Sequence, residues 1–491
     1  MTDVYKSGYQ GRRKPRADFA TRAEYLDHEL QIMEPKRWRP NLPFRDFSFE
    51  IEDWVPAMAA TIGKIVMVAA IVAAFATELG LSRAFVIENV RYELLIAAVL
   101  FVVLISGFLN PKANLAGTHG PLIPLIPLIV ASGGHPMALG LMIGVLGFIL
   151  GITKGGSLLA KLTSNGVCGG LLLYLGFIGI TGQIKNLFAW AEGFDMAYLA
   201  FIVIICTILM YAYLEHIQMR WLAVPLGAVL AAAVSFALGA PFEFTTEPGM
   251  PNLNPAYWWG ESTGWQLGLP ELHHFLAVAP FAVLAVAMWS PDFLGHRVFQ
   301  EINYPPKTEK VLMDIDDTMV AASARQVTGS LLGGGNIASS WGTYIVPAAI
   351  ARRPIAGGAI LTGLLCVVAA LWGYPMDLAI WQPVLSVALI VGVYLPLLEA
   401  GMQMTREGKT TQSAAVVIFS SALVNPVFGW SLTVLLDNLG LIGCKERGKD
   451  LGHMGRWIVP GIVFVILCLL MAGIGMFPGL PPLLESFREL H

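Results

Sequence analysis

Along the chain, long apolar runs alternate with short polar or glycine-rich breaks. Ten runs, at roughly 55–80, 92–110, 135–153, 158–182, 197–214, 220–240, 274–290, 355–373, 380–398 and 456–476, are candidate membrane-spanning helices, since about 20 apolar residues cross a bilayer. Weaker runs lie at 319–333 and 411–437, the second broken at Asn425-Pro426. Two further apolar pieces, 122–131 and 344–351, are too short to cross alone, and each follows a stretch of glycine and small polar residues. Together these give about fourteen elements, all helical.

Composition agrees with the pattern. Of 491 residues, 56% are apolar and 13% charged, and the mean hydropathy is +0.65. Soluble domains are roughly 45–50% apolar and about 25% charged. A soluble enzyme, a disordered protein and a nucleic-acid binder are excluded, and a polytopic all-α membrane protein remains. The net charge of −3 is too small to argue for any partner. The cysteines have neither metal-ligand nor redox spacing. No signal peptide is visible, so the first span, near Trp54, directs insertion.

Basic residues set the expected orientation. The arm 1–53 is basic, and Lys154, Lys161, Arg220, Arg297, Arg352, Arg353 and Arg406 fall on one side if the elements alternate from a cytoplasmic N-terminus. The loop 241–273 falls on the other side, with four Glu and no Lys or Arg. Residues 445–456 conflict with this scheme, because simple alternation puts Lys445, Arg447, Lys449 and Arg456 outside; a re-entrant hairpin at 411–437 would remove the conflict.

The two short pieces are each the third element of a seven-element half, 54–240 and 274–476, leaving a tail at 477–491. An odd number of elements per half inverts the second half against the first. Paired glycine- or proline-interrupted segments at matching positions point to a transporter binding site. Unwound backbone at membrane depth is tolerated only where it is buried or lines a wet cavity. The first break contains Thr118, His119 and Gly120, and the second Ser339, Ser340 and Thr343. Elements 3 and 10 thus read as half-helices whose N-terminal amides face each other and hold an anion or an electronegative ring.

Ionisable residues inside spans are functional candidates. Lys64 lies about ten residues into the first span and Asp292 ends the eighth. Lys64 either neutralises an anionic substrate or forms a structural ion pair. Asp292 either binds substrate, accepts a coupling proton or caps a helix. His119 is a second candidate proton relay. Sodium near Asp292 and Thr343 is the alternative coupling ion. Glu399 reads as a solvated helix end. No nucleophile–base set, metalloprotease motif or phosphate-binding loop is present, which disfavours an enzyme or an ATP-driven pump.

Gly117-Thr118-His119-Gly120-Pro121, followed by Leu122-Ile123-Pro124, resembles the third element of the superfamily of sulfate permeases, nucleobase–ascorbate transporters and bicarbonate exchangers. The run 152–182 resembles its fourth-to-fifth region, and 287–345 is similar in spacing to the eighth-to-tenth region of uracil permeases. There Gly295-His296 resembles a pair that follows the substrate-binding acid, which places Asp292 at that acid. Ser339-Ser340-Trp341-Gly342-Thr343 resembles the tenth-element motif, with Thr343 in place of its second acid. The resemblance implies a core domain (elements 1–4 and 8–11), a gate domain (5–7 and 12–14) that dimerises, and alternating access. It also makes Arg325 a candidate anion ligand. The chain ends about fifteen residues after its last span, so it resembles a bacterial branch without the cytoplasmic regulatory domain.

These observations give the expectation of an ion-coupled or exchanging secondary transporter of a small oxyanion or carboxylate in a bacterial inner membrane, with no cofactor other than a coupling H+ or Na+. Its alternatives are a nucleobase–proton symporter and an anion channel or non-transporting scaffold.

Overall fold

The structure, a computed structural model, describes residues 12–484 apart from short stretches within 22–50 and residues 114–119, 218, 255–267, 304–313, 332–355, 407–409, 444–451 and 453; side chains at 290–303 are also outside the description. Seven of the described helices are long and apolar enough to cross a membrane.

The first half contributes α1 (Ile51–Leu79), α2 (Arg83–Leu109), α3 (Ile126–Ala131), α4 (Pro136–Ile152), α5 (Gly155–Leu162), α6 (Asn165–Glu192), α7 (Ala197–His216) and α8 (Ala223–Ala237). The second contributes α9 (Leu272–Asn303), α10 (Ile315–Leu331), α11 (Ala356–Trp372), α12 (Tyr374–Ala379), α13 (Gln382–Met404), α14 (Thr411–Leu423), α15 (Pro426–Asn438) and α16 (Val459–Ile474).

The sequence pattern located most of these helices and misplaced two boundaries. The second span starts at Arg83, not near 92, because Arg83, Glu88, Arg91 and Glu93 lower the hydropathy of its first turns. The run 158–182 is two helices: Ser164 caps α6, its Oγ accepting from Val167 N at 3.2 Å, and ends α5. The run 411–437 breaks at Asn425-Pro426 as expected, and α14 and α15 form an antiparallel hairpin. Ser413 Oγ near its open end donates to Asp437 Oδ1 at 3.0 Å, and Asn425 Oδ1 at the tip accepts from Phe428 N at 3.0 Å. Each arm has 13 residues, roughly 20 Å, which is too short to cross. The hairpin therefore returns the chain to the end it left. Asn438 Nδ2 donates to Leu162 O at 2.9 Å and Arg456 Nε donates to Asn438 O at 2.8 Å. Arg456 thus joins the end of the molecule that carries Lys161, which removes the conflict in the charge pattern.

Packing follows an exchange between halves. The fourth element of the first half, α4, packs on α9 and α10, the first and second of the other half. Its counterpart α11 packs on α1 and α2. This is the interleaving expected of a repeat. Glycines make these approaches close, as small residues do where helices meet in a bilayer. A Cβ at Gly144 would stand 2.6 Å from Val327 and one at Gly151 would stand 2.8 Å from Val320, both on α10. A second group forms around α6, which packs on α13, α14 and α7, while α8 packs on α13. Exposed apolar residues such as Phe201, Leu209 and Val229 cover the outside of that group, as a lipid-facing surface requires.

The polar connections are fastened to helix ends. Arg39 N and Asn41 N in the N-terminal arm donate to Leu109 O and Phe108 O at 3.0 and 2.7 Å, satisfying carbonyls that the end of α2 leaves open. At the other end, Thr246 N donates to Asp377 Oδ2 at 3.0 Å and Asn252 N to Glu88 Oε2 at 2.9 Å, drawing the 241–254 segment over α2 and α12.

Candidate functional site

α1 carries Thr61 and Lys64 one turn apart on the side that packs on α11. Thr61 Oγ1 donates within its helix to Ala57 O at 2.8 Å and across to Thr362 O at 3.4 Å. Lys64 is fully buried, and its Nζ has no hydrogen-bond partner among the described residues. It interacts electrostatically with Arg325 and with Cys366.

Arg325 stands in the middle of α10, a helix held flat against α4 by the glycine seam. It is 2% exposed and forms an ion pair with Glu93 of α2. Its Nε and Nη1 have no hydrogen-bond partner among the described residues. Gly329, one turn further along α10, faces the carboxylate: a Cβ there would stand 3.9 Å from Glu93 Oε2, an ordinary contact. Asn89, one turn before Glu93 on the same face of α2, is also fully buried, and both amide atoms lack a partner among the described residues.

The result is a buried, donor-rich cluster of Lys64, Arg325 and Glu93, with Asn89 one turn from Glu93 on α2. A Lys or Arg at the centre of a span costs roughly 2.5–3.5 kcal/mol, and Glu93 compensates for one of the two cations. The formal sum over Lys64, Arg325 and Glu93 is one positive charge. Other charges on α2 are paired among themselves and elsewhere: Arg91 with Glu88 at 2.7 Å and Arg83 with Asp377 at 3.4 Å. Residues 332–355 contain no Asp or Glu. Among the described residues, no three His, Cys, Asp or Glu side chains gather into a metal-binding group.

The structure brings together two of the residues singled out from sequence, Lys64 and Arg325. Gly120 opens the short tight helix Gly120–Leu125 that leads into α3. Asp292 lies on α9, with its side chain outside the described residues. Thr118, His119, Ser339, Ser340 and Thr343 lie outside the described residues altogether, so the meeting of the two half-helices does too. Sequence reasoning missed Glu93 and Asn89. Their signal was an acid and an amide at i, i+4 directly before an apolar run. Glu399, expected to be solvated, instead accepts from Tyr211 Oη at 2.7 Å and forms an ion pair with Arg220.

A separate cavity of about 290 Å³ lies between α4, α5 and α9 on one side and α15 and α16 on the other. Leu150, Leu159, Val286, Val434 and Val463 line it, so it offers an anion no charge.

Among solved structures, the chain is similar to the murine Solute Carrier 26 family member A9 (Slc26a9) anion transporter in its inward-facing state, with a TM-score of 0.50 and 12% identity, covering 87% of this chain and 73% of that one. It is also similar to the transmembrane domain of a cyanobacterium bicarbonate transporter, BicA, with a TM-score of 0.50 and 16% identity, covering 79% of this chain and 96% of that one. At such identities the likeness is one of fold. No curated protein sequence matches the chain. Residues 1–484 match the model of the family described as "Protein of unknown function (DUF3360)", and with nearly its whole length matched the chain belongs to that family.

Proposed function

We propose that this multi-pass membrane protein is a secondary transporter of a small anion, working by alternating access of a core domain against a gate domain. The observation that carries the reading is the burial of two cations, Lys64 and Arg325, against one carboxylate among the described side chains, that of Glu93. A bilayer-embedded core holding an uncompensated positive charge is stabilised by an anion that enters and neutralises it. Lys64 Nζ and two guanidinium nitrogens are pure donors, suited to an oxyanion or carboxylate. The two similar structures are of an anion transporter and a bicarbonate transporter, which supports the same class of cargo.

In this reading the half-helix residues Thr118, His119, Ser339, Ser340 and Thr343 complete the cradle. Asp292 or His119 carries a coupling proton, or Asp292 and Thr343 hold sodium. The gate domain forms a homodimer in a bacterial inner membrane, with the N-terminus cytoplasmic. The nucleobase reading stands second, because it needs carboxylates facing ring N–H groups and the carboxylate of the described cluster is engaged by Arg325. Uptake in proteoliposomes tests the reading. Lys64→Ala is expected to abolish saturable, gradient-dependent anion uptake while the protein still melts cooperatively. Wild-type uptake by that variant would overturn it, and flux that never saturates would favour a channel.

A further inference from the structure

We propose that Glu93 fixes the valence of the anion this protein takes, selecting a singly charged species by holding the buried cluster at one net positive charge. The inference rests on the anion reading and deepens it. Glu93 and Arg325 are 2–3% exposed and Lys64 is fully buried. In such surroundings net charge decides occupancy more strongly than the count of hydrogen bonds, because Coulomb energies there exceed their aqueous values several-fold. Among the described side chains the nearby charges do not alter the sum, and Asp292, protonated or holding sodium in the loaded state, adds none. Glu88 and Arg91 neutralise each other, as do Arg83 and Asp377, and Cys366 beside Lys64 adds a thiol.

With the cluster at +1, a singly charged anion brings it to neutrality. A doubly charged anion of the same shape overshoots and leaves a buried negative charge, which is costly. Glu93 therefore does two things. It pairs Arg325 so that the guanidinium is tolerated in the apoprotein, and it removes one unit of attraction that a divalent ion would need. Replacing the carboxylate by an amide keeps the shape and an acceptor for Arg325, but raises the sum to +2.

Perchlorate and sulfate are both tetrahedral oxyanions of similar size, so they separate charge from shape. Saturable thermal stabilisation of the purified full-length protein is measured for each. Wild type is expected to bind perchlorate in preference to sulfate. Glu93→Gln is expected to raise the sulfate-to-perchlorate affinity ratio by about tenfold or more. The double variant Glu93→Gln/Arg325→Gln, which returns the sum to +1 through Lys64, is expected to keep the perchlorate preference, and it carries the test if the single variant does not fold. An unchanged ratio in Glu93→Gln, a wild-type preference for sulfate, or a sulfate preference in the double variant overturns the inference while leaving the anion site standing. Absence of saturable binding of either ion by every variant overturns the anion reading itself.

Discussion

Arg37 grips Asp317 across 280 residues of sequence, its Nε donating to Oδ2 at 2.5 Å and its Nη2 to Oδ1 at 2.7 Å. Trp38 Nε1 and Asn110 Nδ2 donate to the same carboxylate at 3.2 and 2.9 Å. The hydrogen bond to Asp317 raises the Arg37 guanidinium above its ordinary value. One side chain thus joins the N-terminal arm, the end of α2 and the first turn of α10, where an acid is favoured by the helix dipole. Asp317→Ala is expected to destabilise the protein by roughly 1–3 kcal/mol and to expose the arm to protease. Arg37→Lys, which lacks the planar fork, should recover only part of what Arg37→Ala loses. Because the Arg37 side chain is 56% exposed, its share is screened and is the smaller one. Melting curves with limited proteolysis check this; an arm as protected in Asp317→Ala as in wild type refutes the clamp.

The seam of α4 against α10 predicts a sharp contrast between glycines. A Cβ at Gly147 would meet Ser323 Oγ and stand 2.5 Å from the buried Trp289 ring, whereas nothing lies within 4 Å of one at Gly182. Gly147→Ala is expected to cost about 1–3 kcal/mol through overpacking. Gly182→Ala, in α6, should be neutral or stabilising by up to about 1 kcal/mol from helix propensity. Since α10 carries Arg325, Gly147→Ala should also weaken anion binding. Equal melting temperatures for the two variants would contradict the seam.

Asp377, in the short α12 between two spans, gives a pH signature. Burial pushes its carboxyl upward, but hydrogen bonds win and hold it below the ordinary value: the Thr245 hydroxyl donates to it at 2.7 Å and the Thr246 amide at 3.0 Å. A carboxyl lowered on folding contributes stability that is fully present above its unfolded value of about 3.9 and is lost as the pH falls through the folded one. Asp377→Asn is therefore expected to melt below wild type at pH 7, with the gap closing only as the pH drops below about 4. A gap that stays constant from pH 7 to pH 3 would show that the carboxylate's charge is not what holds the 241–254 segment.

What the sequence by itself determined is the solvent and the elements. Runs of apolar residues near bilayer length admit only helices, because backbone amides have no other partner in hydrocarbon. The breaks at 163–164 and 424–425 follow from capping residues and proline, although hydropathy averaged over a window ran across the first. Lys64 and Arg325 were also legible, since a cation within an apolar run stands out. Glu93 was not. It lies among Glu88, Arg91 and Arg83, and in one dimension these four charges look like a polar loop before a span. Only the tertiary structure sorts them, turning Glu88 and Arg91 toward each other and the polar connection and Glu93 toward Arg325, 232 positions away in the other half of the chain. Helical periodicity gives the direction a side chain takes from its own axis. Which helix stands opposite depends on the interleaving of the two halves, and that is fixed by glycine faces whose fit exists only once both helices are in place.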